Sequence, residues 1–525
     1  MKTQRRWWRR AGVAGLVVLT IAVAGFLRFS TPCWPSYRAP ERARSACLAA
    51  LAGSRALNAG FPRIGLAALE WAWARGERSA WIAPSAAEDG LRRGPGADVE
   101  PWLERTKAAH VSAEELDADL QTEGLAQAPR YLAWRSKQTV EHPIGAGLGH
   151  ASLESAGFRA EALEALLQRA KETHSSALVL VKDGALVGEW YFGGATQRTD
   201  TMSATKPIAG LAIGFLVADG TIPSVDTPLS TYFPQWREGL KAKVTLRHVL
   251  QHTSGLEAKR RVTDFIWRDD FVEAALSSPI ITEPGTTEFY NNKAVNLLSG
   301  VVKATTGKPL DALLDERLFT PLGVDAWNWI HDPRGNPHAM SGLQLHPLDL
   351  AKVGVMLADG GVWQGRRILP AEWIAAATSP GVGAASTWGY LFIPHFRTSV
   401  RTLTQGDLSR WREASVDAQV IAKLATLVGQ SMDSSEWIAR AKALLGPGDA
   451  LWSLKNRGLL PEPVRSTETV GYSAIGSYGI HLTVYPAQRL VAVRMAQGMS
   501  DEEEVPDFPG LVRRLFEVPE GASPQ

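Results

Sequence analysis

Between Phe158 and Thr173, apolar residues recur at helical spacing, with Leu163, Leu166, Leu167 and Ala170 on one face. Two β-rich runs follow, Ala177 to Val181 and Leu186 to Phe192, flanking Lys182-Asp183-Gly184. Asp-Gly between such runs predicts a tight hairpin, because the turn needs positive φ. A helix packed on an antiparallel sheet follows from this order. Further helices are predicted around His248 to Gln251, Lys293 to Thr305 and Leu348 to Ala358. Near the C-terminus, Gly479 to Val484 alternates, reaches Tyr485-Pro486, turns at Ala487-Gln488 and leads into Leu490 to Met495. This is a second hairpin, an edge or a central pair of the same sheet.

The rhythm is absent from two regions. Residues 29 to 150 are rich in Ala and Arg, with scattered Trp. Ala46 to Ala56 and Glu114 to Leu120 read as helical, and Gly90 to Gly96 and Pro143 to Gly149 as loops. No chemical motif lies here, so the region reads as a tether plus a helical extension. From Gly381 to Thr469 the pattern breaks again around two helical stretches, Ser415 to Leu424 and Ser434 to Leu445, and reads as an insertion. The chain thus divides into 1–28, 29–150, a main domain of 151–380 with 470–515, and an inserted 381–469.

The first 28 residues stand apart. Lys2, Arg5, Arg6, Arg9 and Arg10 precede an uncharged run from Ala11 to Leu27, closed by Arg28. The pattern fits a signal peptide or a short transmembrane helix. Ala22-Val23-Ala24 offers a signal-peptidase site, whereas Trp7 and Trp8 beside the arginines favour an anchor. The expectation is a single-pass inner-membrane protein with its main domain in the periplasm, or a secreted or periplasmic one after cleavage.

Composition adds exclusions. The 525 residues carry 56 Lys and Arg against 54 Asp and Glu, which argues against a whole-chain nucleic-acid footprint. The two cysteines, Cys33 and Cys47, follow the apolar run, where export permits a disulfide; two unpaired thiols fit as well. No Cys/His cluster has zinc-like spacing, so no metal site is expected.

The candidate chemistry begins at Thr201-Met-Ser-Ala-Thr-Lys-Pro207, ahead of the apolar run Ile208 to Val217. This places Ser203 at a helix N-terminus with Lys206 one turn on, facing the same side. A serine hydroxyl needs a base to become nucleophilic, and a desolvated lysine can be that base. Helix N-terminal N–H groups favour a developing oxyanion. Glu288-Phe-Tyr-Asn-Asn-Lys293 adds a second piece, in which Tyr290 and Asn292 precede the apolar helix Ala294 to Val301. A phenol beside a lysine ammonium has a lowered pKa and can relay a proton, and Asn292 can bond both Lys206 and a substrate carbonyl. His252 reads as a loop-fixing residue, Asp349 as one that caps or orients a helix start, and His481 as packing or surface. Trp388 and Tyr390 fit a cleft wall or the core equally.

The order Ser203-x-x-Lys206, Val249-Leu250-Gln-His-Thr-Ser-Gly-Leu256, Tyr290-Asn-Asn292 with Leu297-Leu298-Ser-Gly300 resembles the serine β-lactamase and penicillin-binding-protein-like superfamily. The nearest look is to its class C side: esterases, D-alanyl-D-alanine peptidases and 6-aminohexanoate-dimer hydrolases. Gly342 to Gly354 and Gly360 to Gly365 are similar to further family stretches. The resemblance covers about residues 153 to 380 and 470 to 500. It implies an α+β fold, with an antiparallel sheet flanked by helices and an all-α region across the cleft. It gives Ser203, Lys206 and Tyr290 the roles of nucleophile, base and proton relay, without cofactor.

Many family members carry Lys-Thr-Gly or His-x-Gly on the strand beside the nucleophile. Here that place is Ala474-Ile475-Gly476-Ser477, with neither Lys nor His. A Ser477 N–H can still pair with that of Ser203 as an oxyanion hole, but the side chain that helps bind a substrate carboxylate is lost. The reading is an exported hydrolase of a small-molecule or cell-envelope amide or ester. The alternatives are a non-catalytic sensor or scaffold, and an envelope transacylase or D-alanyl peptidase.

Overall fold

Both predicted hairpins form, and they are neighbours in one sheet. The computed structural model describes residues 91–93, 133–138, 141–192, 198–257, 265, 268–381, 383, 387–446, 450–496 and 507–517. In chain order the sheet comprises β1 (Gly149–His150), β2 (Ser175–Lys182), β3 (Ala185–Tyr191), β4 (Ile393–Phe396), β5 (Thr469–Gly476), β6 (Ile480–Tyr485) and β7 (Leu490–Ala496). Their spatial order is β4-β5-β6-β7-β2-β3-β1, and only the short β1–β3 pair is parallel. The second hairpin is therefore central. Asp183 and Gly184 turn the first hairpin with φ of 54° and 78°, as its sequence requires.

Four helices frame the sheet: α1 (Ala160–Glu172), α2 (Thr205–Ala218), α3 (Pro347–Ala358) and α4 (Phe508–Arg513). Alternation along β2 sends Ala177, Val179 and Val181 into one core and Leu178 and Leu180 into another. The second core is closed by Ala162, Leu166 and Ala170 of α1 and by Phe508, Leu511 and Val512 of α4. Both faces are thus covered, which is why β2 reads as one continuous apolar run. On the first face α3 lies close to the sheet, because Gly354 has no Cβ: one would stand 2.5 Å from Val491 Cγ1 and 2.7 Å from Leu482 Cδ1. Beyond it, α2 is buried from Thr205 to Leu216 and forms the spine of the helical region. The architecture is α+β.

A second sheet departs from the sequence reading. Its strands lie in the order Leu91–Arg93, Ala133–Gln138, Ala326–His331, Leu343–Leu345, Thr199–Asp200. Leu91–Arg93 had read as loop, and Ala133–Gln138 as part of a tether or helical extension. Pairing with Ala326–His331 overrides the local Ala-rich propensity. Arg135 and Lys137, two apart and so on one face, reach Asp311 at 3.3 Å and Asp315 at 3.1 Å.

The expected insertion begins later than its sequence pattern suggested. β4 pairs with β5 as part of the main sheet. Only the chain between them, beyond Phe396, builds a separate core, around Leu408, Trp411, Leu424 and Trp437. Its helices include Gln405–Glu413, not foreseen, and Ala418–Leu424, which starts three residues after the expected Ser415. Ser415 has φ 54° and breaks the run, and Asp417 caps the helix that follows. Among the described residues no helix is long and apolar enough to cross a membrane. The expected anchor within residues 1–28, Cys33, Cys47 and the helical stretches Ala46 to Ala56 and Glu114 to Leu120 lie outside them.

Candidate active site

The site is built on the turn that enters α2. Thr201 donates to Leu343 O twice, through its N–H at 2.8 Å and its hydroxyl at 2.9 Å. Asp200 Oδ1 accepts the N–H groups of Met202 and Gly342 at 2.7 and 3.2 Å. These bonds hold Met202 at φ 51°, an uncommon conformation for a residue with a side chain. A 3₁₀ turn, Met202–Ala204, then delivers Ser203 to the N-terminal end of α2.

Lys206 sits one turn on and is 2% exposed. Its Nζ is 2.8 Å from Ser203 Oγ and 2.8 Å from Met340 O. Tyr290, 84 positions further along the chain, donates its hydroxyl to Ser203 Oγ at 2.7 Å. The Lys206 nitrogen also lies 4.8 Å from the centre of the Tyr290 ring. Hydroxyl, amine and phenol therefore meet in one place.

One expectation about the phenol is corrected. Sequence reasoning had the lysine lowering the Tyr290 pKa. Burial instead pushes the phenol well up, against a smaller downward pull from its bond to Ser203. Tyr290 is a protonated donor at rest.

Gly476 ends β5 directly against the Ser203 turn. A Cβ there would stand 2.5 Å from Thr201 O and 2.9 Å from Met202 Cβ, so a larger residue would push the strand away. Ser477 follows at the start of the 3₁₀ turn Ser477–Gly479, and Ser203 lies within the turn Met202–Ala204. Backbone N–H groups at two such adjoining turns are the kind of donor an oxyanion needs.

Asn292 follows Tyr290 by two residues. It is half-buried at the first position of the short helix Asn292–Val295, and its backbone carbonyl accepts from Asn296 at 3.5 Å. Its neighbour Asn291 is the buried one, capping that helix through Ala294 N–H at 2.8 Å and donating to Leu256 O at 2.8 Å.

Of the aromatic candidates, Trp388 belongs to the site, with its ring 5.9 Å from that of Tyr290 and its indole N–H on Glu288 at 2.9 Å. Tyr390 packs 5.1 Å from Trp373 in the core. Asp349 does not cap α3; it lies in the first turn, paired with Lys352 at 2.9 Å, and His346 is the cap. His481 is buried, 4.9 Å from the Phe508 ring.

Sequence reasoning missed Arg494. Its guanidinium is fully buried and donates to Tyr478 O at 2.9 Å, Thr173 O at 2.6 Å and Ser175 Oγ at 2.8 Å, and also to Gly479 O. It therefore ties the turn after Ser477, where Tyr478 has φ 66°, to the start of β2. An arginine in an apolar strand was the available signal. Arg494→Met should leave several buried carbonyls unpaired and lower stability by roughly 3–5 kcal/mol, read by urea denaturation.

Four histidines, His248, His252, His346 and His395, are held below their usual pKa by burial and set a pH response. Burial, with Lys352 and Arg198 close by, pushes His346 down to about 4. Burial likewise holds His252 far below its usual value, with Lys206 and Lys455 acting in the same direction. The unfolded chain binds protons near pH 6.5 that the folded one refuses, so stability present above 6.5 is lost as pH falls toward 4. At pH 5 the His346 part is about 2 kcal/mol. The melting temperature should fall between pH 7 and 5. It should fall less in His346→Asn, which keeps a helix cap without titrating.

The beta-lactamase family model matches residues 161–513. The chain belongs to the beta-lactamase family. Among relatives of this beta-lactamase-family chain, esterase EstB of Burkholderia gladioli is 33% identical over 155 residues, 25% of this chain and 39% of that protein. The 6-aminohexanoate-dimer hydrolase of Paenarthrobacter ureafaciens is 25% identical over 242 residues, 42% of this chain and 62% of that protein. These matches thus span less than two thirds of either relative. In fold, the chain is similar to a provisionally assigned 6-aminohexanoate-dimer hydrolase from Bacillus anthracis, with a TM-score of 0.51 at 16% identity over 82% of this chain and 97% of the other.

Proposed function

We propose that this beta-lactamase-family protein is an exported serine hydrolase that cleaves an amide or ester through an acyl-enzyme on Ser203. The observation that carries the reading is the convergence of Lys206 Nζ and Tyr290 Oη on Ser203 Oγ, at 2.8 and 2.7 Å. Ser203 Oγ attacks the substrate carbonyl carbon while its proton passes to neutral Lys206. The new oxyanion is received by the N–H groups of Ser203 and Ser477. The tetrahedral species collapses as the C–N or C–O bond breaks. Tyr290 gives its proton to the leaving atom and regains one from Lys206. Water then hydrolyses the acyl group, with Lys206 as base, and Ser203 is restored.

The absence of Lys or His at Ala474–Ser477 favours substrates whose binding does not depend on a carboxylate at that strand. The names of the two relatives, an esterase and an amide-dimer hydrolase, lean the same way. We place the protein at the inner membrane with this domain outside the cytoplasm, on the basic and apolar pattern of residues 1–28. The full chain in detergent should be offered p-nitrophenyl esters, ω-amino-acid dimers, D-amino-acid peptides and β-lactams. Turnover of esters or linear amides above that of D-amino-acid peptides and β-lactams supports the reading. Turnover of none of them contradicts it.

A further inference from the structure

His252 lies in the loop after the short helix Leu246–Leu250, is 1% exposed and has φ 57°. Positive φ is costly for a residue with a side chain and persists where surrounding contacts impose it. Those contacts converge on Tyr290. The carbonyl of His252 accepts the Phe289 N–H at 2.7 Å, and its ring Nδ1 accepts the Asn291 N–H at 3.3 Å. Both chain neighbours of Tyr290 are thus fastened to one residue. The imidazole also lies 4.7 Å from the Tyr290 ring, and Trp388 closes its other side at 4.8 Å in an edge-on arrangement.

A ring nitrogen that accepts an N–H carries no proton, so the proton of this neutral imidazole is on Nε2. Nε2 is buried and makes no hydrogen bond. The tautomer is therefore set by the loop it holds.

We propose that His252 is a positioning residue for Tyr290, fixing the phenol on Ser203 Oγ through the two backbone bonds at 289 and 291 and the ring contact. This rests on the reading of Tyr290 as the proton donor to the leaving group. His252 touches neither substrate nor nucleophile in that role. Loss of its acceptor releases the Asn291 N–H and lets the phenol drift, and displacement of a catalytic group by about 1 Å costs on the order of a hundredfold in rate.

The test compares His252→Phe, His252→Asn, His252→Gln and Tyr290→Phe, singly and with the His252→Phe/Tyr290→Phe double variant. Each is assayed on p-nitrophenyl and alkyl esters of the same acid. Nitrophenolate leaves without much help and an alkoxide does not, so loss of a proton donor weighs on the alkyl ester. Tyr290→Phe should lose kcat mainly on the alkyl ester. His252→Phe, which fills the space without an acceptor, should show the same bias, roughly tenfold to a hundredfold in kcat, with KM changed less than about threefold. In the double variant the second change should add little. Asparagine, whose oxygen falls near the Nδ1 position, should retain more activity than glutamine, a comparison that holds even if the phenylalanine variant folds poorly. Equal losses on both esters, additive losses, glutamine matching asparagine, or an unchanged His252→Phe would each overturn the proposal. A Tyr290→Phe variant that keeps its kcat on the alkyl ester instead removes the tyrosine reading beneath it.

Discussion

Ser203→Ala is expected to retain the fold and lose hydrolysis by roughly 10⁴-fold or more. The change deletes one oxygen, the acceptor of the Lys206 and Tyr290 bonds and the only atom proposed to bond to the substrate. Neither the turn bonds of Asp200 and Thr201 nor the apolar packing of α2 involves that hydroxyl, so melting should shift little. Initial rates on a p-nitrophenyl ester, with circular dichroism as control, provide the check. Appreciable turnover in this variant would mean that another group performs the attack.

Lys206 should matter almost as much, and for a separable reason. Lys206→Met keeps the volume of the buried stem but has no nitrogen to accept the serine proton, and should lose on the order of 10³-fold in kcat. Lys206→Arg keeps a cation but cannot deprotonate, so it should be as inactive. If the lysine served only as a fixed charge beside the oxyanion, arginine would restore activity and methionine would not. The pair of variants, assayed across pH, thus distinguishes a base from a charge. Removing the amine also takes a donor from Met340 O, so some loss of stability accompanies both changes.

Much of the frame was legible because local pattern and tertiary demand agreed. The Asp183-Gly184 turn, the strands on either side of it, the Ser434–Leu445 helix and the apolar α2 each carry their signal within a few residues. Ser203 and Lys206 were legible for the same reason, being one helical turn apart. The pairing of Ala133–Gln138 with Ala326–His331 was not, since a strand in an Ala- and Arg-rich stretch is specified by a partner nearly two hundred residues away. Nor was the capping role of Asn291, because it depends on which residue has the extended backbone. The rise of the Tyr290 pKa was missed because burial cannot be seen in a motif, and here it outweighs every other influence on the phenol. Arg494 shows the same limit, since its acceptors come from chain segments far apart in sequence.

The most direct measurement is the site of covalent capture. The full chain is exposed to a fluorophosphonate probe, digested, and mapped by tandem mass spectrometry. Modification should fall on Ser203, at a rate that drops sharply in Lys206→Met and vanishes in Ser203→Ala. A chain that stays unmodified while folded, or that carries the probe on a different residue, would contradict an activated hydroxyl at this position.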